Sequence, residues 1–267
     1  MSHRPSGRRL PAALLAALLA ALAMTVLAAP ASATTGPEAE RLIIGWINRD
    51  RMAAGLVPFR ADYTLNYIAG ARASRMASTN VMSHTISGNL AYQLTSRHVP
   101  WYAYGENIAY STRTWTVQAA QNIYAMWKAS APHRALMMSR TFNYIGMGLA
   151  YRSSNHRTFA SSVFTESPDH TGARSYFTSA TRSGNDLTWT WTGYDVRLQT
   201  HTAGLLGFDL QYRVGSGLWV NLRNDTTARS IVLPNRLSGT SYALRIRATD
   251  RRGNVGVWSA PLPVWVP

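Results

Sequence analysis

The chain has 267 residues, 46% of them hydrophobic, no cysteine, and a formal charge of +15 in which Lys128 is the single lysine. That length suits two domains of moderate size, and the missing cysteines exclude a disulfide-built scaffold, so burial of apolar surface must supply the stability. The arginines are scattered, without a basic run or a recognisable binding module, which argues against a nucleic-acid partner. A compositional arginine bias explains the charge as well as attraction to anionic wall polymers or lipid head groups does.

Residues 1–33 read as a signal peptide. Arg4, Arg8 and Arg9 precede an Ala/Leu run from Leu10 to Ala29, and Ala31-Ser32-Ala33 has the small-x-small form of a cleavage site. Cleavage would leave Thr34 as the N-terminus and lower the charge from +15 to +12, since only those three arginines are lost. An uncleaved anchor is the alternative; no later segment is as long and apolar, so a secreted, extracellular protein with no transmembrane span after cleavage is expected.

Beyond the leader, Leu42, Ile43, Trp46 and Ile47 recur at helical spacing between Glu38 and Ala54, and Gly55 stands where a left-handed cap is wanted. Asp62 can cap a second helix carrying Leu65, Ile68, Ala69 and Met76 and ending near Asn80. A third helix runs from about Thr116 to Ala129. Ser130-Ala131-Pro132-His133 then reads as N-cap, N1, N2 and N3 of a short helix, with the Ser130 hydroxyl accepting from the His133 backbone N–H. Tyr144 to Tyr151 and Thr158 to Thr165 flank Ser153-Ser154-Asn155 as a β-hairpin. Gly146 and Gly148 inside its first strand mark close approach of another backbone.

Residues 167–185, rich in Ser, Thr, Gly and Asp, read as a linker, and 186–267 as an all-β domain. There Leu187-x-Trp189-x-Trp191 and the alternation of Tyr242, Leu244, Ile246 and Ala248 with Ala243, Arg245 and Arg247 give strands with one buried face. Trp189 and Trp191 point the same way, into the core or out as a pair that stacks on sugar rings. The fold class is α+β: helices around a small antiparallel sheet over 34–166, then the β domain.

Four signatures follow one another: Ser83-His84, Gly105-Glu106-Asn107, Trp127-x-x-Ser130-x-x-His133 and Ile145-Gly146-x-Gly148, with Asn48-x-x-Arg51 and Gly55-Leu56 upstream. The series resembles the bacterial, cysteine-free form of the CAP superfamily (SCP/PR-1-like; cysteine-rich secretory, antigen 5 and pathogenesis-related proteins). The resemblance implies an α/β/α sandwich over 34–166. Leu237-Ser-Gly-Thr-Ser-Tyr242, Arg247-Ala-x-Asp250 and Gly253-Asn254 look like the tyrosine-corner region of a fibronectin type III module, implying an Ig-like sandwich over 186–267 that serves as spacer or adhesive arm.

By the same resemblance His84, Glu106 and His133 converge in one cleft. Two imidazoles and a carboxylate suit zinc, the one cofactor to consider, with Glu106 as the candidate ligand or catalytic base; they also suit a hydrogen-bonded structural cluster. Ser130 stands where many eukaryotic members carry a second carboxylate, and Ser161-Ser162 where bacterial relatives often show a Gln, which removes ligating capacity. A Ser130 nucleophile is set aside because its hydroxyl is expected at the cap. His98, His156, His170 and His201 read as solvated. The expected function is an extracellular binding protein, its partner a lipid, a sterol or an anionic cell-wall polymer; a metal-dependent hydrolase or peptidase is the alternative, and oligomeric state is left open.

Overall fold

The computed structural model describes residues 36–113 and 117–267. The leader expected over 1–33 lies outside the described residues. Among the described residues no helix is long and apolar enough to cross a membrane.

Helix α1 (Gly36–Ala53) buries Ala39, Ile43, Ile47 and Arg51, one residue per turn, along a single stripe. It ends where Gly55 takes a φ of 71° and Leu56 N donates to Arg51 O at 2.9 Å, the six-to-one bond of a left-handed cap. Strand β1 (Arg60–Ala61) and then α2 (Tyr63–Thr79) follow, and Leu65 N donates to the capping Asp62 Oδ1 at 2.8 Å. Asn80, with φ 57°, stops α2. Helix α3 (Leu90–Ser96), strand β2 (Ala103–Ser111), helices α4 (Val117–Ala129) and α5 (Ala131–Met137), and strands β3 (Tyr144–Arg152) and β4 (Arg157–Glu166) complete this part. The GEN segment, expected as a loop or short strand, is the middle of a nine-residue strand.

The sheet has the order β1-β3-β4-β2, with β1 parallel to β3 and the other pairs antiparallel. Both faces of β3 are buried, and alternation decides which helices each residue meets. Ile145, Met147 and Leu149 share a cluster with Ile43 and Ile47 of α1 and Ile123 and Trp127 of α4. Tyr144 packs with Leu65 and Ile68 of α2, and Ala150 with Ala73 and Met76. Between these, Gly146 and Gly148 let the backbone of α2 touch the sheet: a Cβ on Gly146 would stand 2.1 Å from Leu65 C, and one on Gly148 2.2 Å from Gly70 N.

The remaining strands are β5 (Arg174–Ser183), β6 (Asp186–Tyr194), β7 (Leu205–Val214), β8 (Val220–Thr226), β9 (Ser230–Leu233), β10 (Thr240–Asp250) and β11 (Leu262–Val266). They form sheets of order β11-β10-β7-β8 and β5-β6-β9 whose inward residues share one core, including Trp189, Trp191, Phe208, Leu244 and Ile246. Trp189 and Trp191 are 0% and 2% exposed, so they are core and not a sugar-stacking pair. Tyr242 OH accepts from Leu237 N at 3.0 Å, which ties the start of β10 to the turn before it.

The stretch expected as a linker, 167–185, is structured. Ten of its residues are β5, paired antiparallel with β6 across a bulge between Phe177 and Ser179. Its Ser/Thr/Arg composition gives too faint an alternation, because only Tyr176 and Phe177 among its residues are large hydrophobics. Before β5, Ser167 exchanges two hydrogen bonds with Asn143, Nδ2 of which also donates to Thr200 O at 3.0 Å. Leu198 is buried with Leu65 and Tyr144, and Gln199 Oε1 accepts from Val57 N at 2.9 Å. The described residues accordingly belong to one compact unit.

His170, expected to be solvated, stacks on Tyr144 with ring centroids 4.0 Å apart and meets Asp62 Oδ2 through Nε2 at 3.0 Å. Burial works against both charges, lowering His170 and raising Asp62. It is outweighed by their mutual bond, helped by Pro168 O on the imidazole and Leu65 N–H on the carboxylate, so His170 ends raised and Asp62 lowered. His156 and His201 also have partners, Tyr151 OH at 2.7 Å and Glu166 Oε1 at 2.9 Å.

Two outcomes follow from this packing. Gly146→Ala drives a methyl into helix backbone and is expected to cost about 3 kcal/mol in urea unfolding; a loss below about 1 kcal/mol would mean that α2 can retreat. For the ion pair, the raised imidazole contributes stability that is whole below its unfolded pKa and fades as pH climbs through the folded one. The lowered carboxylate contributes stability that is whole above its unfolded pKa and fades as pH drops through the folded one. The stability difference between wild type and His170→Gln should therefore peak between the two ordinary values, at about pH 4–6.5; a flat difference profile overturns the pairing.

Candidate functional site

The carboxylate of Glu106, 5% exposed, is held by an arginine that the sequence signatures do not include. Arg72 sits on the buried stripe of α2, one turn beyond Ile68 and one before Met76, and is 1% exposed. Its Nε donates to Glu106 Oε1 at 2.6 Å and its Nη2 to Oε2 at 2.8 Å, the two-pronged fork that fixes a carboxylate in position as well as charge. Ser161 Oγ adds a donor to Oε1 at 2.7 Å, and His84 Nδ1 meets Oε2 at 2.8 Å. Arg72 also donates to His84 O and Gly88 O, so the same guanidinium holds the loop that carries His84. An arginine at an apolar position of an amphipathic helix is the available signal, because a buried guanidinium must find acceptors for its N–H groups elsewhere in the fold.

Ser161, expected to strip polar capacity from this strand, instead completes the Glu106 shell through its hydroxyl. Ser130 is the N-cap residue of α5 as expected, but its side chain makes no capping bond; only its carbonyl accepts, from Arg134 N at 2.8 Å. Its hydroxyl is also unbonded to His133, so no nucleophile–base pair exists there. Asn107, fully buried, donates through Nδ2 to His133 O at 3.0 Å and fastens α5 to β2.

The three sequence-predicted residues are neighbours, yet they open into different depressions. His84, with a side chain 56% exposed, lines a recess of about 290 Å³ with Glu106, Leu90 and Tyr104. His133 instead lines a groove of about 650 Å³ between β2 and α4, with Met82, Ile108, Tyr110, Ser111, Met126 and Trp127. Burial lowers the His133 pKa, and the nearby His84 lowers it further, which favours the neutral ring. Its Nδ1 is sealed from solvent and has no hydrogen-bond partner among the described residues, and the same holds for Ser111 Oγ. Trp127 is itself anchored, donating from Nε1 to Ile108 O at 3.1 Å.

A zinc centre fits this arrangement poorly. Catalytic zinc takes three protein ligands, whereas both oxygens of Glu106 are already engaged by Arg72, Ser161 and His84, which leaves two imidazoles. The same engagement removes Glu106 as a general base, since a base needs a lone pair directed at its substrate. What the arrangement does well is structural: one buried pair joins α2, the 84–88 loop, β2 and β4.

Upstream, Asn48-x-x-Arg51 is a second brace. Asn48 exchanges hydrogen bonds with the Phe59 backbone at 2.9 and 2.8 Å. Arg51, fully buried, donates to Val57 O, Met137 O and Ser139 O and lies 3.6 Å over the Phe59 ring. Burial lowers its pKa to about 10.

Residues 45–165 match the Cysteine-rich secretory protein family, CAP, so this segment is a CAP domain. YkwD, an uncharacterized protein of Bacillus subtilis (strain 168), is 27% identical over 111 residues, 41% of this chain and 41% of its own length, so the chain spans about two fifths of that relative. Among solved structures, an extracellular protein containing a SCP domain from Bacillus anthracis str. Ames is 22% identical, with a TM-score of 0.42, over 49% of this chain and 41% of that one. An outer surface protein from Borrelia burgdorferi is 17% identical, with a TM-score of 0.43, over 49% of this chain and 93% of that one.

Because the Arg72–Glu106 pair is buried, either Arg72→Met or Glu106→Gln is expected to cost about 3–5 kcal/mol, and the double variant Arg72→Met/Glu106→Leu much less than the sum. His84→Ala, at the exposed end of the cluster, should cost under about 1 kcal/mol. Additive single losses in urea unfolding would show that the two charges do not depend on each other.

Proposed function

We propose that this chain is an exported binding protein whose CAP domain, an α/β/α sandwich, takes the apolar chain of an amphiphile in the groove between β2 and α4. A fibronectin III-like module follows it. The observation that carries the reading is the chemistry of the groove wall: methionine, isoleucine, tyrosine and tryptophan side chains line it, with Ser111, Ser130 and His133 as polar residues among them. A mostly apolar wall with a few polar groups is the usual lining of a small-molecule site, and about 650 Å³ lies within the size range of such sites. Two exposed methionines at the rim, Met82 and Met126, suit a flexible hydrocarbon because their side chains repack easily. The leader pattern supports export, and the positive charge supports residence near anionic lipid or wall polymer.

Hydrolysis through the His84, Glu106 and His133 cluster is the lesser reading, because the carboxylate it would use is occupied by Arg72. Titration of the protein with cis-parinaric acid, a fluorescent fatty acid, tests the proposal. Saturable binding is expected, weakened at least about tenfold in Ala125→Phe, a substitution at an exposed helix position on the groove wall that should leave the unfolding midpoint unchanged. Absence of saturable binding overturns the reading, and zinc-dependent cleavage of peptide or peptidoglycan that disappears in His133→Ala would replace it with the hydrolase.

A further inference from the structure

Away from the groove, three carboxylates from distant stretches meet at the seam between the CAP domain and the β strands that follow it. Asp169 follows β4, Asp195 follows β6 and Asp250 ends β10, and one oxygen from each lies within 4.8 Å of the other two. Asp169 and Asp250 are 2% and 0% exposed. None of the three forms an ion pair with an arginine, lysine or histidine among the described residues, in a chain of net charge +15. Three acids so placed repel one another, and buried charge without compensation is strongly unfavourable.

Each carboxylate is held by fixed donors. Asp169 Oδ1 accepts from Thr171 N and Oγ1, and its Oδ2 from Ala203 N. Asp250 Oδ1 accepts from Arg252 N and Asn254 N, and its Oδ2 from Asn254 Nδ2. Asp195 is different: Oδ2 accepts from Gly204 N at 2.6 Å, while Oδ1 is sealed from solvent and has no hydrogen-bond partner among the described residues. That orphaned oxygen, independent of the clustering itself, marks a missing positive group. Burial first, and then the fields of Asp169 and Asp250, push the Asp195 carboxyl above its ordinary pKa.

We propose that Asp169, Asp195 and Asp250 form a calcium site that binds the CAP domain to the β strands behind it. Calcium takes six to eight oxygens at about 2.3–2.6 Å, so two oxygens on one ion stand no more than about 5 Å apart, which this trio satisfies. An all-carboxylate set selects a hard cation over zinc. A single carboxylate from each of three segments means that the ion stabilises the folded arrangement and not any one loop. Asp195 is only partly buried, which leaves the ion a way in.

Equilibrium dialysis of the full chain against calcium chloride, with EDTA-treated protein as the start, tests this. One calcium per chain is expected, with a dissociation constant of about 0.1–1 mM, the range of extracellular modules, and a rise in thermal midpoint that saturates over the same concentrations. Asp195→Asn should weaken binding at least about tenfold and abolish the calcium-dependent rise, while its calcium-free midpoint is equal to or above that of wild type because a like charge has gone. Glu38→Gln, on the exposed face of α1, should bind as wild type does. No saturable uptake, or uptake and midpoint rise unchanged in Asp195→Asn, overturns the site; in the first case a proton on Asp195 takes the cation's place.

Discussion

A guanidinium and a carboxylate, each almost wholly withdrawn from water, bring together the four pieces that build the CAP domain's polar centre. Arg72 belongs to a helix, Glu106 to an edge strand, Ser161 to the neighbouring strand and His84 to a loop, and it is through that pair that their side chains are joined. Removing two charges from water is expensive, and a forked pair with further donors on its remaining lone pairs is the geometry in which mutual attraction offsets that cost. The price of the arrangement is chemical. A carboxylate that satisfies an internal arginine has little left for a metal or a substrate.

The helix that supplies Arg72 must first lie close enough to the sheet. Gly146 and Gly148 provide that closeness, since at each a side-chain atom would overlap helix backbone. The second and fourth signatures are therefore two halves of one requirement. Glycines admit α2, and α2 delivers the arginine to Glu106. On the opposite face Trp127 fills the space under α4 and fixes β2 through Ile108 O, which sets the floor of the groove that His133 and Ser111 line.

Local chemistry carried much of this into the sequence. Asp62 as cap, Gly55 as left-handed stop, the hairpin around Ser153-Ser154-Asn155 and the shared face of Trp189 and Trp191 all depend on neighbours within a few residues, and such signals survive in one dimension. What was not legible depends on partners far along the chain. Arg72 is one more arginine until Glu106 stands opposite it, His170 reads as solvated until Tyr144 and Asp62 enclose it, and the three aspartates are 26 and 55 residues apart. Strand β5 was hidden because an edge strand with one weak apolar face carries little periodicity, and β11 because Pro263 stands inside it, as edge strands allow.

The segment between the two halves of the molecule has a mechanical meaning. Asn143 clasps Ser167 and Thr200, Gln199 reaches back to Val57, and Leu198 lies in the core beneath α2. A flexible tether would let the groove sample many directions; this connection behaves as a bracket. Anything that grips the far β sheets therefore also aims the mouth of the groove, and turning one half turns the other with it.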